Sequence, residues 1–277
     1  MAVDSIFDLE KLHKLELKIA LEIKRVCEKN NIRYFLAYGT LLGAVRHGGF
    51  IPWDDDFDIA MPREEYEKFV EIFPQKTNPD VFFMENWDTE EEYGLTFTKI
   101  KLQGTVFEEN SIKNTNTHKG IFVDVFPYDG LPDDVKRIKK TARKIVALGK
   151  MYKFRLGYGP TDANKKNQKW QAKIIGILCK PLRKSKLKDR LYREEIKYNK
   201  ENPKYVTVIS GANHCSDYFN KEYLNESIKI KFMDQEFNAP KEYDKVLKSI
   251  YGDYMKLPPE EERVFRHNLQ RIDFGKY

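Results

Sequence analysis

The stretch YGTLLGAVRHGGFIPWDDDFDIAMP, residues 38–62, holds four aspartates within five positions: Asp54, Asp55, Asp56 and Asp58. Apolar Phe57 and Ile59 flank the last of them. Carboxylates gathered this closely repel one another, so folding alone gives no reason for the cluster, whereas a cation among them does. FDIAM (57–61) reads as a strand. In an extended chain, side chains at i and i+2 share a face. Asp56 and Asp58 then project together, while Phe57 and Ile59 turn to the core. Two carboxylates on one strand face make half of a site for a hard cation. Just upstream, IRYFLAY (32–38) reads as a buried strand. Gly39-Thr40 breaks it, LLGAV resumes as a short helix, and HGGFIP is a loop marked by Gly48, Gly49 and Pro52. Free N–H groups at a helix N-terminus bind phosphate, and glycine lets a ligand approach the backbone. A phosphate binder and a metal binder therefore share one short unit.

Working outward, the third acid is Asp124. It stands inside the apolar run GIFVDVFP (120–127), and a buried carboxylate is costly unless it is paired or holds a metal. Two other readings compete. WDDDFD read as a solvated acidic turn leaves Asp124 pointing outward. Asp54, Asp56, Asp58 and Glu65 fall on a calcium-loop spacing, but Ile59 stands where that loop needs glycine, and HGGFIPW cannot be its entering helix. Gly39-Thr40 before the cluster and Asp124 after it favour the two-carboxylates-plus-one arrangement.

The rest of the chain alternates helices and strands. Leu9, Leu12, Leu15, Ile19, Ile23 and Val26 recur at spacings of three and four, which predicts a helix over 5–30. Residues 62–73 open with Pro62 and two glutamates, suited to a helix start. Strands are expected at 81–85, 95–101, 105–109 and 120–127. This is a mixed α/β (α+β) domain. Between residues 136 and 200 the composition shifts to 22 Lys/Arg against 4 Asp/Glu. We divide the chain into a core at 1–134, a basic helical insertion at 135–204 and a C-terminal part at 205–277 that completes the core. That last part holds a strand at 205–210, a hairpin at 227–240, a helix at 241–251 and an aromatic tail.

The chain has 277 residues, 41% of them hydrophobic and 33% charged, with a net charge of +6. Cys27, Cys179 and Cys215 are odd in number and lack a C-x-x-C spacing, so they read as reduced thiols of a cytosolic chain. The first residues show no signal-peptide core. No apolar run approaches the roughly 18 residues of a membrane span. The expected location is cytoplasmic, with peripheral contact on the inner face of an anionic membrane. The cationic stretch carries no DNA- or RNA-binding motif, so nucleic acid is not an expected partner.

Three stretches carry a resemblance: GTLLGAVRHGGFIPWDDDFDIAMPREEYEKF, KGIFVDVFPYDGLP and YGDYMKLPPEEERVFRH. They resemble the LicD family, whose nucleotidyltransferase-like fold also includes the fukutin-related proteins. The likeness spans most of the chain outside roughly 135–225, and the first stretch shows no departure from the pattern. It implies a nucleotidyltransferase-like mixed sheet flanked by helices. It also implies metal-dependent transfer of a phospho-linked group, phosphocholine first, from a CDP-activated donor to a hydroxyl of a cell-surface glycan. That acceptor would be a teichoic acid, capsule or lipooligosaccharide, free or lipid-linked. The implied metal is Mg²⁺, with Mn²⁺ as the alternative. Asp56 and Asp58 would hold two ions that clamp the attacking and departing oxygens. Asp124 would bind the ion facing the acceptor and take its proton. The Gly39-Thr40 turn would grip donor phosphate, and Asp54 and Asp55 would be supporting or solvated.

Other residues admit two readings each. Arg46 and His47 either contact donor phosphate or serve the acidic loop structurally. Lys99 offers phosphate a cation from a strand, while Lys101 is read as a surface lysine and His118 as a loop residue. Tyr251, Tyr254, Arg263 and His267 either close over the donor and acceptor, with aromatics caging a quaternary ammonium, or simply pack the tail. WQAKIIGILCKPLRKSK (170–186) is either an interfacial helix or an ordinary amphipathic one. Three competing functions follow: a phosphoglycerol or phosphoribitol transferase, an enzyme of the same fold that moves a nucleotide, and a non-catalytic membrane-surface adaptor.

Overall fold

The computed structural model describes residues 8–158, 170, 174–175, 177–179, 181–209, 215–265 and 267–277. The start of the expected first helix, Ser210 at the end of YVTVIS, and parts of the 170–186 stretch and of the tail motif (Arg266) lie outside the described residues. Helix α1 (Leu9–Lys29) is capped by Asp8, whose carboxylate accepts the Lys11 N–H. Its three-and-four apolar spacing turns Leu12, Ile19, Ile23 and Val26 into the core, as the sequence predicts.

That core rests on a mixed sheet. Its strands run in the order β1 (Phe35–Leu36), β2 (Asp58–Pro62), β6 (Phe122–Leu131), β4 (Thr98–Leu102), β3 (Phe82–Glu85). β2 and β6 are parallel, and their neighbours join antiparallel. β7 (Tyr205–Thr207) extends the sheet from the far half of β6, and β8 (Phe219–Asn220) pairs with it. β6 therefore runs past its expected end at Pro127, because its second half takes a new partner. It is buried along its whole length, which fits a continuous apolar run at the centre of a sheet. Two ribbons complete the core: the expected hairpin β9 (Ser227–Phe232)/β10 (Gln235–Pro240), and β5 (Val106–Glu109) with β11 (Leu269–Asp273) from the tail.

Two local expectations fail. The strand expected at 32–38 shrinks to two residues, because helix α2 (Tyr38–His47) already begins at Tyr38, at φ +43°. Ala37 is its N-cap residue and donates its N–H to Asp58 O at 3.0 Å. Gly39-Thr40 is thus the first turn of a helix and does not separate two elements. Lys101 is no surface residue either. It is 2% exposed, paired at 2.6 Å with a Glu85 that is 1% exposed, and it also donates to His118 O. His118 lies in a loop, as expected.

Helix α3 (Arg63–Lys76) covers the sheet behind α1. The basic region forms α4 (Val135–Arg155), capped by Asp134, and α5 (Lys184–Glu195). These two bury Ile138, Ile145, Leu148, Leu187 and Leu191 in a second apolar cluster and leave most of their cations outside. Helix α6 (Tyr243–Tyr251) leads into the tail. All three cysteines are buried and free. Among the described residues no helix is long and apolar enough to cross a membrane.

Candidate active site

Strand register assembles the acid centre. Asp58 on β2 lies opposite Asp124 on β6, and Asp124 lies opposite Lys99 on β4. Directly opposed residues share a sheet face, so the three form a row across three strands. Asp56 sits two positions before Asp58. The backbone locks this arrangement in place. Asp58 N–H donates to Thr40 Oγ1 at 2.8 Å, and Asp124 N–H donates to Phe57 O at 3.0 Å.

The electrostatics suit a cation. Burial, then repulsion from Asp56, Asp124 and Asp54, pushes the Asp58 carboxyl well above its usual range. Burial also raises Asp56; His267 opposes that rise, while Asp55 and Asp124 add to it. Asp124 is raised by burial and pulled back by Lys99, whose ammonium sits 2.7 Å from its Oδ1. Asp56, Asp58 and Asp124 all face one cleft of about 740 Å³. Among the described residues no three acid, histidine or cysteine side chains already converge as a closed metal cage, and the Asp124 oxygen is drawn to Lys99. An all-oxygen set of mutually repelling carboxylates on one cleft is nevertheless the chemistry a hard dication takes.

The expected phosphate binders divide. Tyr38, Gly39 and Arg46 line the cleft. A Cβ at Gly39 would meet Asp54 Oδ2 at 2.4 Å, so a larger residue there would turn the Asp54 carboxylate aside. Thr40 does not line the cleft. It is buried, and its hydroxyl supports Asp58. Lys99 is likewise engaged: besides Asp124, it lies over the Phe122 ring at 3.3 Å. Lys99 therefore holds the acid row in place and offers phosphate no open cation. Arg46 donates to Tyr254 O at 2.8 Å and so ties α2 to the tail. Burial, with Arg263 nearby, lowers its pKa. His47 is exposed, stands edge-on to Trp53 and stays off the cleft lining.

The tail residues divide in the same way. Tyr251 and Tyr254 line the cleft, and Tyr254 Oη donates to Asp244 at 2.9 Å. Arg263 stands outside the lining, with Nε on Pro258 O at 2.9 Å and its guanidinium 5.4 Å from the Trp53 ring centre. His267 fastens the tail. Its Nδ1 is 3.1 Å from Asp55, its Nε2 is 3.3 Å from Glu109, and its backbone N–H also reaches Asp55. Burial alone would lower the imidazole, but Asp55 and Glu109 outweigh it and raise the pKa to about 9. Asp55 is therefore a buried anchor and not a solvated acid.

Sequence reasoning missed two features of the cleft. Asp217 lines it and accepts a hydrogen bond from Thr207 Oγ1 at 3.0 Å. It stands in NHCSDYF, where neither spacing nor an apolar setting marks it. The second is an aromatic wall: Phe97 and Phe126 are 4.4 Å apart between ring centres, and Tyr38 stands edge-on to Phe126 at 5.7 Å. Phe97 stands two residues before Lys99 and Phe126 two residues after Asp124, a spacing that was available in the sequence.

Comparison with known proteins places the chain in a family. Residues 31–155 match the family model described as LicD/FKTN/FKRP, nucleotidyltransferase domain. The lipopolysaccharide cholinephosphotransferase LicD of Haemophilus influenzae is 32% identical over 246 residues, covering 87% of this chain and 89% of that one. An uncharacterized protein of Rickettsia typhi is 57% identical over 47 residues, 17% of this chain and 15% of its own. The ribitol 5-phosphate transferase FKRP of Mus musculus is 30% identical over 103 residues, 37% of this chain and 18% of that one. The family model and the transferase relatives together define a phosphotransferase built on a nucleotidyltransferase domain. The chain belongs to the LicD family and is a LicD-like phosphotransferase.

Proposed function

We propose that the cleft transfers a substituted phosphate, phosphocholine first, from a CDP-activated donor to a hydroxyl of a cell-surface glycan, with Mg²⁺ or Mn²⁺ bound. The observation that carries this reading is the set Asp56, Asp58 and Asp124 on the floor of a cleft large enough for a nucleotide, with Lys99 opposite Asp124 behind it. Asp56 and Asp58, with Asp124, would hold the metal, which when bound would neutralise phosphate charge and stabilise the leaving oxygen. The N–H groups at the start of α2 and the Arg46 guanidinium lie where donor phosphate would rest. Trp53, Tyr251, Tyr254 and the Phe97–Phe126 pair give a quaternary ammonium aromatic faces.

Lys99 opposes the rise that burial gives the Asp124 carboxyl, which favours its carboxylate form as a base. The acceptor O–H gives its proton to Asp124, the acceptor oxygen bonds to phosphorus, and the P–O bond to the nucleotide breaks, releasing CMP. Mg²⁺ with a panel of CDP-activated donors tests the reading. CMP release that needs both acceptor glycan and metal supports it, and full turnover in excess EDTA overturns the metal assignment. Preference for a CDP-alditol over CDP-choline would favour the second reading, to which the ribitol 5-phosphate transferase likeness points. Peripheral membrane contact on the cytoplasmic side belongs to the same proposal. Trp170, Ile177 and Leu178 are 69%, 53% and 71% exposed beside the basic helices, a pattern an anionic surface attracts.

A further inference from the structure

A second cavity, of about 290 Å³, opens beside the cleft. Three elements of the core supply most of its walls: α3 (Arg63, Tyr66, Glu67), the turn after β3 (Asn86, Trp87, Asp88) and the segment entering β4 (Leu95 to Phe97). The basic region closes it with Lys188, Asp189 and Tyr192 of α5. Phe97 lines both spaces, so one ring forms the partition between this cavity and the acid floor. At the lower end of the size range for small-molecule sites, it has room for a single ring.

We propose that this cavity is a sugar subsite, which holds a neutral hexose unit of the glycan acceptor next to the unit that is modified. The acceptor role rests on the function proposed above, whereas sugar binding does not. Three observations carry it. First, the cavity is walled by aromatic faces. Trp87, half-buried, meets Tyr192 edge-on at 6.4 Å with the Lys188 ammonium 5.8 Å from its ring centre, and with Tyr66 and Phe97 these rings give the cavity apolar surface of the kind a sugar's C–H groups pack on.

Second, its polar groups favour hydroxyls over phosphate. Glu67, Asp88 and Asp189 are acceptors for O–H donors and repel anions. The two cations in the lining already hold protein groups, Arg63 outside the cavity and Lys188 on Trp87 in its wall. Arg63 forks onto Asp129 at 2.8 and 2.5 Å, and Lys188 Nζ lies 3.3 Å from Trp87 O. Third, the walls are held before any ligand arrives. Tyr66 Oη bonds Thr98 Oγ1 at 2.7 Å, and Tyr192 Oη donates to Glu67 at 3.0 Å. Asn86 Oδ1 accepts the Asp88 N–H at 2.9 Å and so fixes the turn that presents Trp87. Preorganisation of this kind lowers the ordering cost of binding.

The test uses the full chain with its three tryptophans replaced by 5-fluorotryptophan and read by ¹⁹F NMR. Trp87→Phe assigns the key resonance; if that variant fails to fold, Trp53→Phe and Trp170→Phe assign it by elimination. The probes are the methyl β-glycosides of glucose, galactose and N-acetylglucosamine, and separately CMP with Mg²⁺. At least one glycoside should move the Trp87 resonance saturably, and Tyr192→Ala should weaken that binding by about tenfold, the scale of one lost aromatic contact. Asp189→Asn should weaken it less. No saturable movement of Trp87 with any of the three glycosides overturns the proposal. So does CMP moving Trp87 as strongly as Trp53, because the cavity would then belong to the nucleotide. CMP that leaves Trp53 unmoved while a glycoside moves Trp87 counts against the donor reading and leaves the sugar subsite standing.

Discussion

The acid floor and the basic insertion handle charge in opposite ways. In the floor and the layers behind it, charges are buried and answered one by one: Lys99 to Asp124, Lys101 to Glu85, and His267 to Asp55 and Glu109. In the insertion, α4 and α5 bury apolar residues and set most of their cations in water. Taking charge out of water is expensive, so a chain keeps a buried carboxylate row only where other groups hold it in place. Exposed charge costs little and marks a surface. Buried charge thus marks the proposed site of chemistry and its scaffold, and exposed charge the surface proposed to dock.

The sharpest way to break the contrast is to remove charge from the floor while keeping its shape. Asp124→Asn should slow transfer by about 10²–10⁴-fold, the usual cost of a lost general base. Donor binding should weaken only about tenfold, or roughly 1.4 kcal/mol. Calorimetry with a CDP-linked donor, paired with single-turnover kinetics, checks both. Donor binding that vanishes with activity would make Asp124 a donor-metal ligand, and unchanged activity would remove it from the site. Asp56→Ala and Asp58→Ala should each lose at least about 10²-fold, comparable to removing one preorganised electrostatic group, and EDTA should imitate them.

Lys99 and Lys101 share a strand face and bury equally well, so exchanging each for methionine separates site from scaffold. Removing one partner of a buried pair costs about 3–5 kcal/mol, so both variants should melt earlier. Only Lys99→Met should also shift the pH profile of transfer upward, because Asp124 then keeps its proton to higher pH. Identical pH profiles for the two variants would show that Lys99 has no part in the chemistry.

The His267 clamp predicts a pH-dependent term in stability. The folded pKa, about 9, lies above the ordinary 6.5. Its contribution is therefore complete below about 6.5 and is lost as pH rises through 9. Melting temperature recorded from pH 6 to 10 should fall across that window in the wild type and flatten in His267→Gln. A parallel fall in both proteins would exclude the clamp as its source. The smallest effect belongs to the insertion. Each lysine or arginine near an anionic surface contributes about 1 kcal/mol, so low-salt co-sedimentation should favour anionic over neutral vesicles, and Trp170→Ser should weaken it. Equal recovery on both would end the membrane reading.

Much of the site was legible because its signals are local. Asp56 and Asp58 share a face through a two-residue period, and Asp124 is conspicuous as one charge inside an apolar run. The likeness of this stretch to the LicD family rests on the same contiguous residues. Helix α1 was legible because its three-and-four spacing needs no partner to be read. What failed depended on a neighbour. Lys101 looks like any strand lysine until Glu85 is brought opposite, and Thr40 looks like a phosphate binder until the Asp58 N–H occupies its hydroxyl.

The sequence alone therefore determined the mixed α+β class, and it singled out Asp56, Asp58 and Asp124 and the compositional shift of the basic stretch. Only the tertiary structure decided that Lys99 pairs with Asp124, that Gly39 packs beside the Asp54 carboxylate, that Asp217 joins the cleft, and that His267 bolts the tail to Asp55. Each of these joins residues far apart in the chain. Local period reports which face a side chain takes, but strand register and helix placement decide what it meets there.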